Sequence, residues 1–226
     1  PAELFGEGTG VVTLFVRGDD PTAAVEEAAG VEGLEVVECR TPPTVESVLG
    51  DLAAATRPAI VQALIRPTAE TLAACDELRA SGAEARIGDA GSEELERRTY
   101  RLRRRIDDAT TGTYVSSCSF RTVVYKGLVA ADALDAFYLD LADERYVAPL
   151  AVFHQRFSTN TLPTWERTQP FRVLCHNGEI NTIGGNENRM RARARLGTAE
   201  AGLGPEELFR PVLEPEASDS GKLDEA

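Results

Sequence analysis

Short segments dense in β-branched and other large apolar residues recur through the first third of the chain, and they constrain the fold more than any other feature. Residues 10–17 (GVVTLFVR), 34–39 and 59–65 have the composition of buried strands. Segments of helical spacing and turn residues separate them. Because strands and helices that alternate in this way must bury their apolar faces against each other, the sequence predicts a layered α+β or α/β domain.

Helices are predicted between and after these strands. The first has Asp20 as its N-cap and Pro21 at its first position, and Gly30 closes it. Helical spacing also indicates three further helices: residues 45–55, residues 68–80 with Gly82 beyond the end, and a helix from about residue 186. Residues 93–106 fit a helix or a strand on pattern alone.

The second half of the chain holds four more strand candidates: residues 114–117, 121–125, 150–156 and 171–175. The sequence has no internal repeat and no low-complexity tract, which favours one domain over residues 1–226 rather than a solenoid or linked modules. Only the acidic tail after Leu213 is expected to be loosely structured.

Composition argues against several classes of protein. With 42% hydrophobic and 27% charged residues the chain is an ordinary globular sequence. It has no apolar run of the roughly 18 residues needed to cross a bilayer, so we expect a cytoplasmic protein without a membrane partner. A formal net charge of -13 opposes the phosphate backbone of nucleic acids. Four cysteines without a CxxC pair, and only two histidines, predict reduced thiols and no metal site.

An arginine-rich run, residues 97–105, is the one place where contact with a nucleic acid or a phosphate could begin, since it contains six arginines. Acidic residues flank the run on both sides: Glu93, Glu94, Glu96, Asp107 and Asp108. This flanking charge favours a solvated face whose charges pair with each other.

Residues 153–193 hold both histidines, the single tryptophan and the single methionine of the chain. Within them, a predicted strand runs into His176-Asn177-Gly178, where an amide side chain lies next to an unhindered backbone N–H. Such a pair of donors can stabilise a tetrahedral oxyanion. The alternative is an Asn-Gly turn between two strands, and spacing alone favours the turn.

Five motifs give the sequence a close resemblance to a known family. They are HQRFSTNT at residues 154–161, HNGEINT at 176–182, RTVVYKG at 121–127, DERY at 143–146 and SDSGKLD at 218–224. Together they resemble the glutaminase domain of the glutamate synthase large subunit, a class II glutamine amidotransferase. The resemblance is strong over residues 114–224 and weaker over residues 1–106. It implies the N-terminal-nucleophile hydrolase fold, a four-layer αββα sandwich of the α+β class, present here in part.

The resemblance also implies a role for five residues of a glutamine site. Arg156 is expected to bind the α-carboxylate of glutamine, and Asp219 its α-ammonium. The Asn177 side chain and the Gly178 backbone N–H are expected to form the oxyanion hole, and Thr159 is expected to add a hydrogen bond to the substrate. Taken singly, Arg156 could be a surface arginine and Asp219 a helix N-cap. Their occurrence in separate motifs of one family favours the glutamine site.

The nucleophile of this family is a cysteine at the mature N-terminus, whose own α-amino group is the general base. Pro1 has no thiol, so we expect a fragment that lacks the N-terminal catalytic cysteine and is itself inactive. Cys175 lies two residues before Asn177, on the same side of the predicted strand, with His176 on the other side. Without a histidine on its own face to activate the thiol, Cys175 is better interpreted as a packing residue than as a substitute nucleophile.

For the parent protein, the resemblance implies hydrolysis of L-glutamine to glutamate and ammonia, as part of ammonia assimilation and glutamate biosynthesis. The ammonia passes to a synthase domain, an oxidoreductase that aminates and reduces 2-oxoglutarate with electrons from FMN and an iron-sulfur cluster. Neither cofactor is expected in this segment. The rival hypothesis is a non-catalytic regulatory module that keeps Arg156 and Asp219 to bind glutamine.

Overall fold

The computed structural model describes residues 2–86, 88–155, 162–176, 179–194 and 218–225. The chain forms two compact units that interleave along the sequence. The first comprises the described residues of Pro1–Pro43, Pro58–Val123 and Asp143–Val147, and the second those of Thr44–Arg57, Val124–Ala142 and Ala148–Ala226. The combination of helices with an antiparallel sheet confirms the α+β class.

A four-stranded antiparallel sheet organises the first unit. Its strands are β1 (Gly10–Val16), β2 (Leu34–Arg40), β3 (Ala59–Pro67) and β4 (Thr113–Ser119), in the spatial order β2-β3-β1-β4. The strand predictions over residues 10–17, 34–39, 59–65 and 114–117 are therefore confirmed. Every residue of β1 is buried, which explains its continuous apolar composition, because a strand that is buried on both faces has no solvent-facing positions.

The helices of the described residues are, in chain order, α1 (Ala2–Phe5), α2 (Thr22–Val31), α3 (Asp51–Ala55), α4 (Ala69–Ala80), α5 (Ala90–Ala109), α6 (Leu134–Phe137), α7 (Ile183–Ala194) and α8 (Asp219–Glu225). Short 3-10 helices lie at Glu46–Val48, Ala131–Ala133 and Leu139–Ala142. The helices predicted at residues 68–80 and near residue 186 are confirmed as α4 and α7. Residues 93–106, which fitted either element, lie within α5, a helix of 20 residues.

Helices α2, α4 and α5 pack against one face of the sheet and form the hydrophobic core of the first unit. Val12, Leu14 and Val16 of β1 point to this face, as the two-residue period of a strand requires. The helices contribute Val25, Ala28, Ala29, Cys75, Leu95, Leu102 and Ile106. On the opposite face of the sheet, two buried polar side chains form a hydrogen bond: Gln62 Nε2 donates to Thr13 Oγ1 at 3.3 Å.

The first predicted helix is present as α2, but the prediction gave the wrong first and last residues. α2 begins at Thr22 and not at Pro21, although Asp20 Oδ1 still accepts the Thr22 N–H at 3.0 Å. The helix also continues through Gly30, so the prediction that Gly30 closes it is wrong. The left-handed residue beyond the helix end is Gly33, with φ 67°, a conformation that glycine adopts without steric cost.

The helix predicted over residues 45–55 is interrupted. A 3-10 helix and α3 occupy parts of this range, and between them Leu49 and Gly50 have extended backbone, with ψ of 142° and 162°. The apolar spacing therefore indicated two short helical turns and not one continuous helix.

Three strand predictions are wrong for the described residues: 121–125, 150–155 of the predicted 150–156, and 171–175. After β4, Ser119 Oγ accepts the backbone N–H groups of Arg121 and Thr122 at 2.9 and 3.1 Å, so a side chain takes donors that a strand ladder would use. The Phe171 N–H donates to the Leu174 carbonyl at 2.9 Å, which closes a local turn. Residues 150–155 expose their large apolar side chains, and apolar composition forms a strand only beside a pairing neighbour.

The arginine-rich run, residues 97–105, lies in α5 and pairs with acidic residues of the first unit. Arg97 Nη2, for example, lies 2.6 Å from Glu93 Oε1, one helical turn earlier. The predicted pairing of charges is confirmed. The prediction of a solvated face is wrong at Arg103 and Arg104, which are 5% and 2% exposed.

Glu32, which directly follows α2, is the buried centre of this pairing. Its Oε2 and Oε1 accept hydrogen bonds from Arg101 Nε and Arg105 Nε, respectively, both at 2.6 Å. Its backbone carbonyl accepts a hydrogen bond from Arg98 Nη1, also at 2.6 Å. These charge-assisted hydrogen bonds link the end of α2 to α5. The sequence does not mark Glu32, because its partners lie 66 to 73 residues further along the chain.

Two helical glycines are expected to respond in opposite ways to substitution by alanine. A Cβ at Gly91 of α5 would lie 2.5 Å from the Cys75 carbonyl oxygen of α4, whereas a Cβ at Gly30 of α2 has no neighbour within 4 Å. Because alanine has the higher helix propensity, Gly30→Ala is expected to raise the free energy of unfolding by about 0.5 kcal/mol. Gly91→Ala is expected to lower it by about 1–3 kcal/mol through overpacking. Urea denaturation followed by circular dichroism measures both, and equal effects would contradict the close approach of α4 to α5.

An aromatic cluster forms the core of the second unit. Trp165 is fully buried, its Nε1 donates to the Ala53 carbonyl at 3.1 Å, and its ring centroid lies 5.7 Å from that of Phe137. The rings of Tyr138 and Phe137 pack edge to face, with centroids 4.6 Å apart. The Tyr138 hydroxyl donates a hydrogen bond to the Lys126 carbonyl at 2.9 Å. Burial raises the pKa of the Tyr138 phenol. This cluster supports the loop that follows Trp165, where the candidate site begins.

Candidate functional site

The described residues include part of the predicted glutamine site. Asp219 and Cys175 lie within them. The other predicted site residues lie outside the described residues: Arg156, Thr159, Asn177 and Gly178. The geometry therefore concerns α8, which carries most of the SDSGKLD motif, and the two stretches that flank residues 177–178.

Ser218 caps α8 and leaves the carboxylate of Asp219 for another contact. The Gly221 N–H donates to Ser218 Oγ at 3.1 Å, which is the contact of an N-cap residue. Asp219 is the first residue of the helix, and its Oδ2 accepts the Ile180 N–H at 2.8 Å. The alternative in which Asp219 itself is the N-cap is therefore wrong. The carboxylate instead bonds the backbone shortly after residues 177–178.

The other flank of residues 177–178 contacts the same helix end. Ser220 Oγ lies 3.4 Å from His176 Nδ1 and donates to the His176 carbonyl at 3.3 Å. Together with the bond between Asp219 and Ile180, this contact places the start of α8 against both sides of residues 177–178. The SDSGKLD and HNGEINT motifs thus meet, although 39 and 44 residues separate the bonded partners.

Two ion pairs hold the rest of α8. Arg172 Nη2 lies 2.6 Å from Asp224 Oδ2, with side chains 10% and 1% exposed. Lys222 Nζ lies 2.9 Å from Glu187 Oε1 of α7, and this hydrogen bond lowers the pKa of Glu187. Because removing one partner of a buried pair leaves an uncompensated charge, the Arg172 pair in particular resists separation of α8 from the loop at Arg172.

Gln169 holds His176 from a further direction. Its Nε2 donates to the His176 carbonyl at 2.8 Å, and its Oε1 accepts the His176 N–H at 3.4 Å. The turn before Gln169 is anchored by Lys126, whose ammonium donates to the carbonyls of Glu166 and Thr168 at 2.8 and 3.1 Å. The motif analysis assigned no role to Gln169 or Lys126. Lys126 lies inside the RTVVYKG motif, but bonds to backbone carbonyls leave no pattern in the sequence.

Cys175 is partly buried. Burial raises the pKa of its thiol, which lowers the fraction of reactive thiolate at neutral pH. The argument that placed Cys175 and Asn177 on one face of a strand is wrong in its premise, because the chain before residue 177 does not form a strand.

The described residues contain neither a candidate metal site nor a candidate membrane-spanning helix. No group of three or more His, Cys, Asp or Glu residues among them could hold a metal ion. None of the helices that the structure describes has the length and apolar composition needed to cross a membrane.

Comparison with known proteins identifies the class to which this chain belongs. Residues 8–226 match the profile of the family described as glutamine amidotransferases class-II, and the chain belongs to that family. The class assignment drawn from the five motifs is confirmed.

Within this class the chain is similar to glutamate synthases. It is 39% identical over 236 residues to the chloroplastic ferredoxin-dependent glutamate synthase of Oryza sativa subsp. japonica, and 41% identical over 232 residues to ferredoxin-dependent glutamate synthase 2 of Synechocystis sp.. It is 37% identical over 227 residues to the glutamate synthase (NADPH) large chain of Bacillus subtilis. These matches cover 99%, 98% and 97% of this chain but only 13%, 13% and 14% of the three relatives.

Proposed function

We propose that this chain forms part of the glutaminase domain of a glutamate synthase, and that the full-length gene product hydrolyses L-glutamine to glutamate and ammonia. The observation that carries the proposal is the contact of α8 with both flanks of residues 177–178. The contact bonds a carboxylate suited to an ammonium group, and the neighbouring Ser220, to the backbone on the two flanks of an Asn-Gly sequence whose donors suit an oxyanion, as expected in a class II glutamine amidotransferase.

Asp219 is proposed to bind the α-ammonium of glutamine. An ionised carboxylate offers about four lone-pair sites, so it can accept the Ile180 N–H and an ammonium group at the same time. Arg156 is proposed to bind the α-carboxylate, for which a guanidinium has matching bidentate geometry. Thr159 is proposed to add a hydrogen bond to the substrate.

The oxyanion that forms during attack on the side-chain amide is proposed to bind Asn177 and Gly178. Two preorganised donors, one a side-chain amide and one a backbone N–H, stabilise charge that develops only in the transition state. The nucleophile in this proposal is the N-terminal cysteine of the family, and Cys175 is a packing residue whose raised thiol pKa disfavours that role.

The proposed fold is the four-layer αββα sandwich of the N-terminal-nucleophile hydrolases. An antiparallel sheet with α2, α4 and α5 on one face supports this proposal, since it has the composition of one sheet layer and one helical layer. Residues 1–226 are proposed to form part of a single amidotransferase domain, with its motif-rich core in residues 114–224.

The partners in this proposal are L-glutamine and a synthase domain of the same protein. The ammonia would aminate 2-oxoglutarate there, with FMN and an iron-sulfur cluster as electron carriers, and no residue of this chain is proposed to hold either cofactor. The names of the relatives support this assignment. We propose a cytoplasmic enzyme with no nucleic-acid or membrane partner, and the net charge of -13 supports the first of these exclusions.

The test is glutamate release from glutamine by the full-length gene product. In Asp219→Asn the new amide still accepts the Ile180 N–H but no longer carries the charge that binds an ammonium group. Since a hydrogen bond to a charged group contributes about 1.5–3 kcal/mol, the ratio kcat/KM is expected to fall about tenfold to a hundredfold, mainly through KM.

Asp132→Asn is the matched control, because Asp132 is an exposed carboxylate of the second unit. This variant is expected to keep the kinetics of the unsubstituted protein. Reversible glutamine binding without glutamate release would refute the hydrolytic function and favour the regulatory module. Unchanged kinetics in Asp219→Asn would remove Asp219 from the site.

A further inference from the structure

Gln169 uses one side chain to satisfy both backbone polar groups of a single residue. The two bonds join its carboxamide to the carbonyl and the N–H of His176, at 2.8 and 3.4 Å. Gln169 is 6% exposed, so water has little access to replace these bonds. The contact resembles the pairing of two antiparallel strands, but a side chain takes the place of one strand.

The position of Gln169 is itself fixed by a buried anchor. Thr168 Oγ1 donates to the Trp165 carbonyl at 2.7 Å, which closes the turn that precedes Gln169. The ammonium of Lys126, which is 2% exposed, donates to the carbonyls of Glu166 and Thr168 in the same turn. Gln169 therefore extends from a turn that is bonded into the aromatic core of the second unit.

The bond to the His176 carbonyl acts on the peptide group that His176 shares with the next residue. A peptide group is planar, so fixing the orientation of its carbonyl also fixes the direction of the following N–H and the start of the next residue. That next residue is Asn177. The Ser220 hydroxyl donates to the same carbonyl at 3.3 Å, which gives this peptide group a second support.

We infer that Gln169 is a positioning residue for the oxyanion donors Asn177 and Gly178. The inference rests on the proposed function, since it concerns the same site. Oxyanion donors act at about 2.7–3.1 Å from the charged oxygen, and a displacement of about 1 Å can cost about a hundredfold in rate. Neither bond of Gln169 to His176 involves Arg156 or Asp219, which are proposed to bind the glutamine α-groups.

The test is the kinetics of Gln169→Met in the full-length gene product. Methionine has similar length and no hydrogen-bonding amide, so it fills the space without holding His176. In this variant only the Ser220 hydroxyl still donates to the His176 carbonyl. We therefore expect kcat for glutamine hydrolysis to fall by about tenfold to a hundredfold, the upper value being the loss expected for oxyanion donors displaced by about 1 Å. KM is expected to change less than about twofold, because kcat falls alone when only transition-state contacts are lost.

Two further variants separate positioning from stability. Arg57→Met removes hydrogen bonds to Glu46 and Thr44 in the same unit without touching His176 or the turn before Gln169, and is expected to keep kcat. Gln169→Glu keeps an acceptor for the His176 N–H but loses the donor to the His176 carbonyl, so its kcat is expected to be as low as that of Gln169→Met. This second variant tests the inference if Gln169→Met folds poorly. Melting temperatures of all three are measured alongside.

The outcomes are distinct. An unsubstituted protein that releases no glutamate would refute the proposed function, and this inference with it. An active protein in which Gln169→Glu keeps its kcat would overturn the inference alone. So would a kcat in Arg57→Met that falls as far as in Gln169→Met, since the effect would then follow the stability of the second unit.

Discussion

Replacing Glu32 by alanine is expected to lower the free energy of unfolding of the first unit by about 3 kcal/mol, the lower end of the range for breaking a buried ion pair. Glu32 is 4% exposed, and its two carboxylate oxygens each accept an arginine Nε at 2.6 Å. Without the carboxylate, Arg101 and Arg105 lie close to each other with less opposing charge. The lower end of the range applies because the Arg105 side chain is 32% exposed and can be hydrated, and because Arg101 keeps Glu94 at 3.5 Å.

Glu27→Ala is the matched control for this prediction. Glu27 lies in the same helix, α2, and its side chain is exposed, so its replacement is expected to change stability by less than about 0.5 kcal/mol. Urea denaturation followed by far-ultraviolet circular dichroism compares the two variants. If Glu32→Ala and Glu27→Ala have the same midpoint and slope, the buried carboxylate does not hold α2 to α5.

The strands of the first unit could be predicted from sequence because the signal for each is local. Residues 10–17 and 59–65 are dense in apolar and β-branched residues, and they form most of β1 and β3, the two inner strands of the sheet, whose composition reflects their burial. The signal at residues 121–125 is of the same kind and gave a wrong result. At that segment the Ser119 hydroxyl oxygen accepts two backbone N–H groups that a strand would use for pairing. The residue composition of the segment does not reveal a single side chain of this kind.

The charges of α5 show which part of an interaction a sequence can reveal. The pairing of Arg97 with Glu93 follows from a spacing of four residues in a helix and could be predicted. The pairing of Arg101 with Glu32 spans 69 residues and depends on the packing of α2 against α5. Burial of Arg104 likewise follows from the tertiary fold, since arginine by itself predicts exposure.

The motifs predicted the family correctly and a candidate location for the site, but not the contacts between the described residues there. Asp219 was predicted from the SDSGKLD motif, and the structure adds that Ser218 takes the capping role. Gln169 was not predicted because its partner is the backbone of His176, and any residue except proline would present the same carbonyl and N–H at that position.

Replacing Lys126 by methionine is expected to lower the free energy of unfolding of the second unit by about 2–4 kcal/mol, because each buried carbonyl left without a donor costs about 1–3 kcal/mol. The carbonyls concerned are those of Glu166 and Thr168. The ammonium also lies 4.8 Å from the Phe171 ring centroid, a cation-π contact that methionine would reduce to an apolar one. Relief from burying the lysine charge offsets part of the loss, which keeps the expected change below the sum of these effects.

Trp165 offers a direct measurement of this change. It is the single tryptophan of the chain and is fully buried in the second unit, so its fluorescence reports the unfolding of that unit during urea denaturation. Arg191→Met is the control, since Arg191 is 53% exposed and its i,i+4 pair with Glu187 contributes only about 0.3–0.5 kcal/mol. A Lys126→Met variant as stable as Arg191→Met would show that the buried ammonium contributes little to stability.

Activity separates two ways in which Lys126 could matter. Lys126 holds the carbonyl of Thr168, and the next residue, Gln169, holds the peptide group that leads into Asn177. If this connection transmits position, Lys126→Met lowers kcat for glutamine at temperatures where Trp165 fluorescence shows the unit to be folded. A loss of activity that follows only the unfolded fraction would assign Lys126 to stability alone, because a population of unfolded molecules reduces the number of sites without changing any one of them.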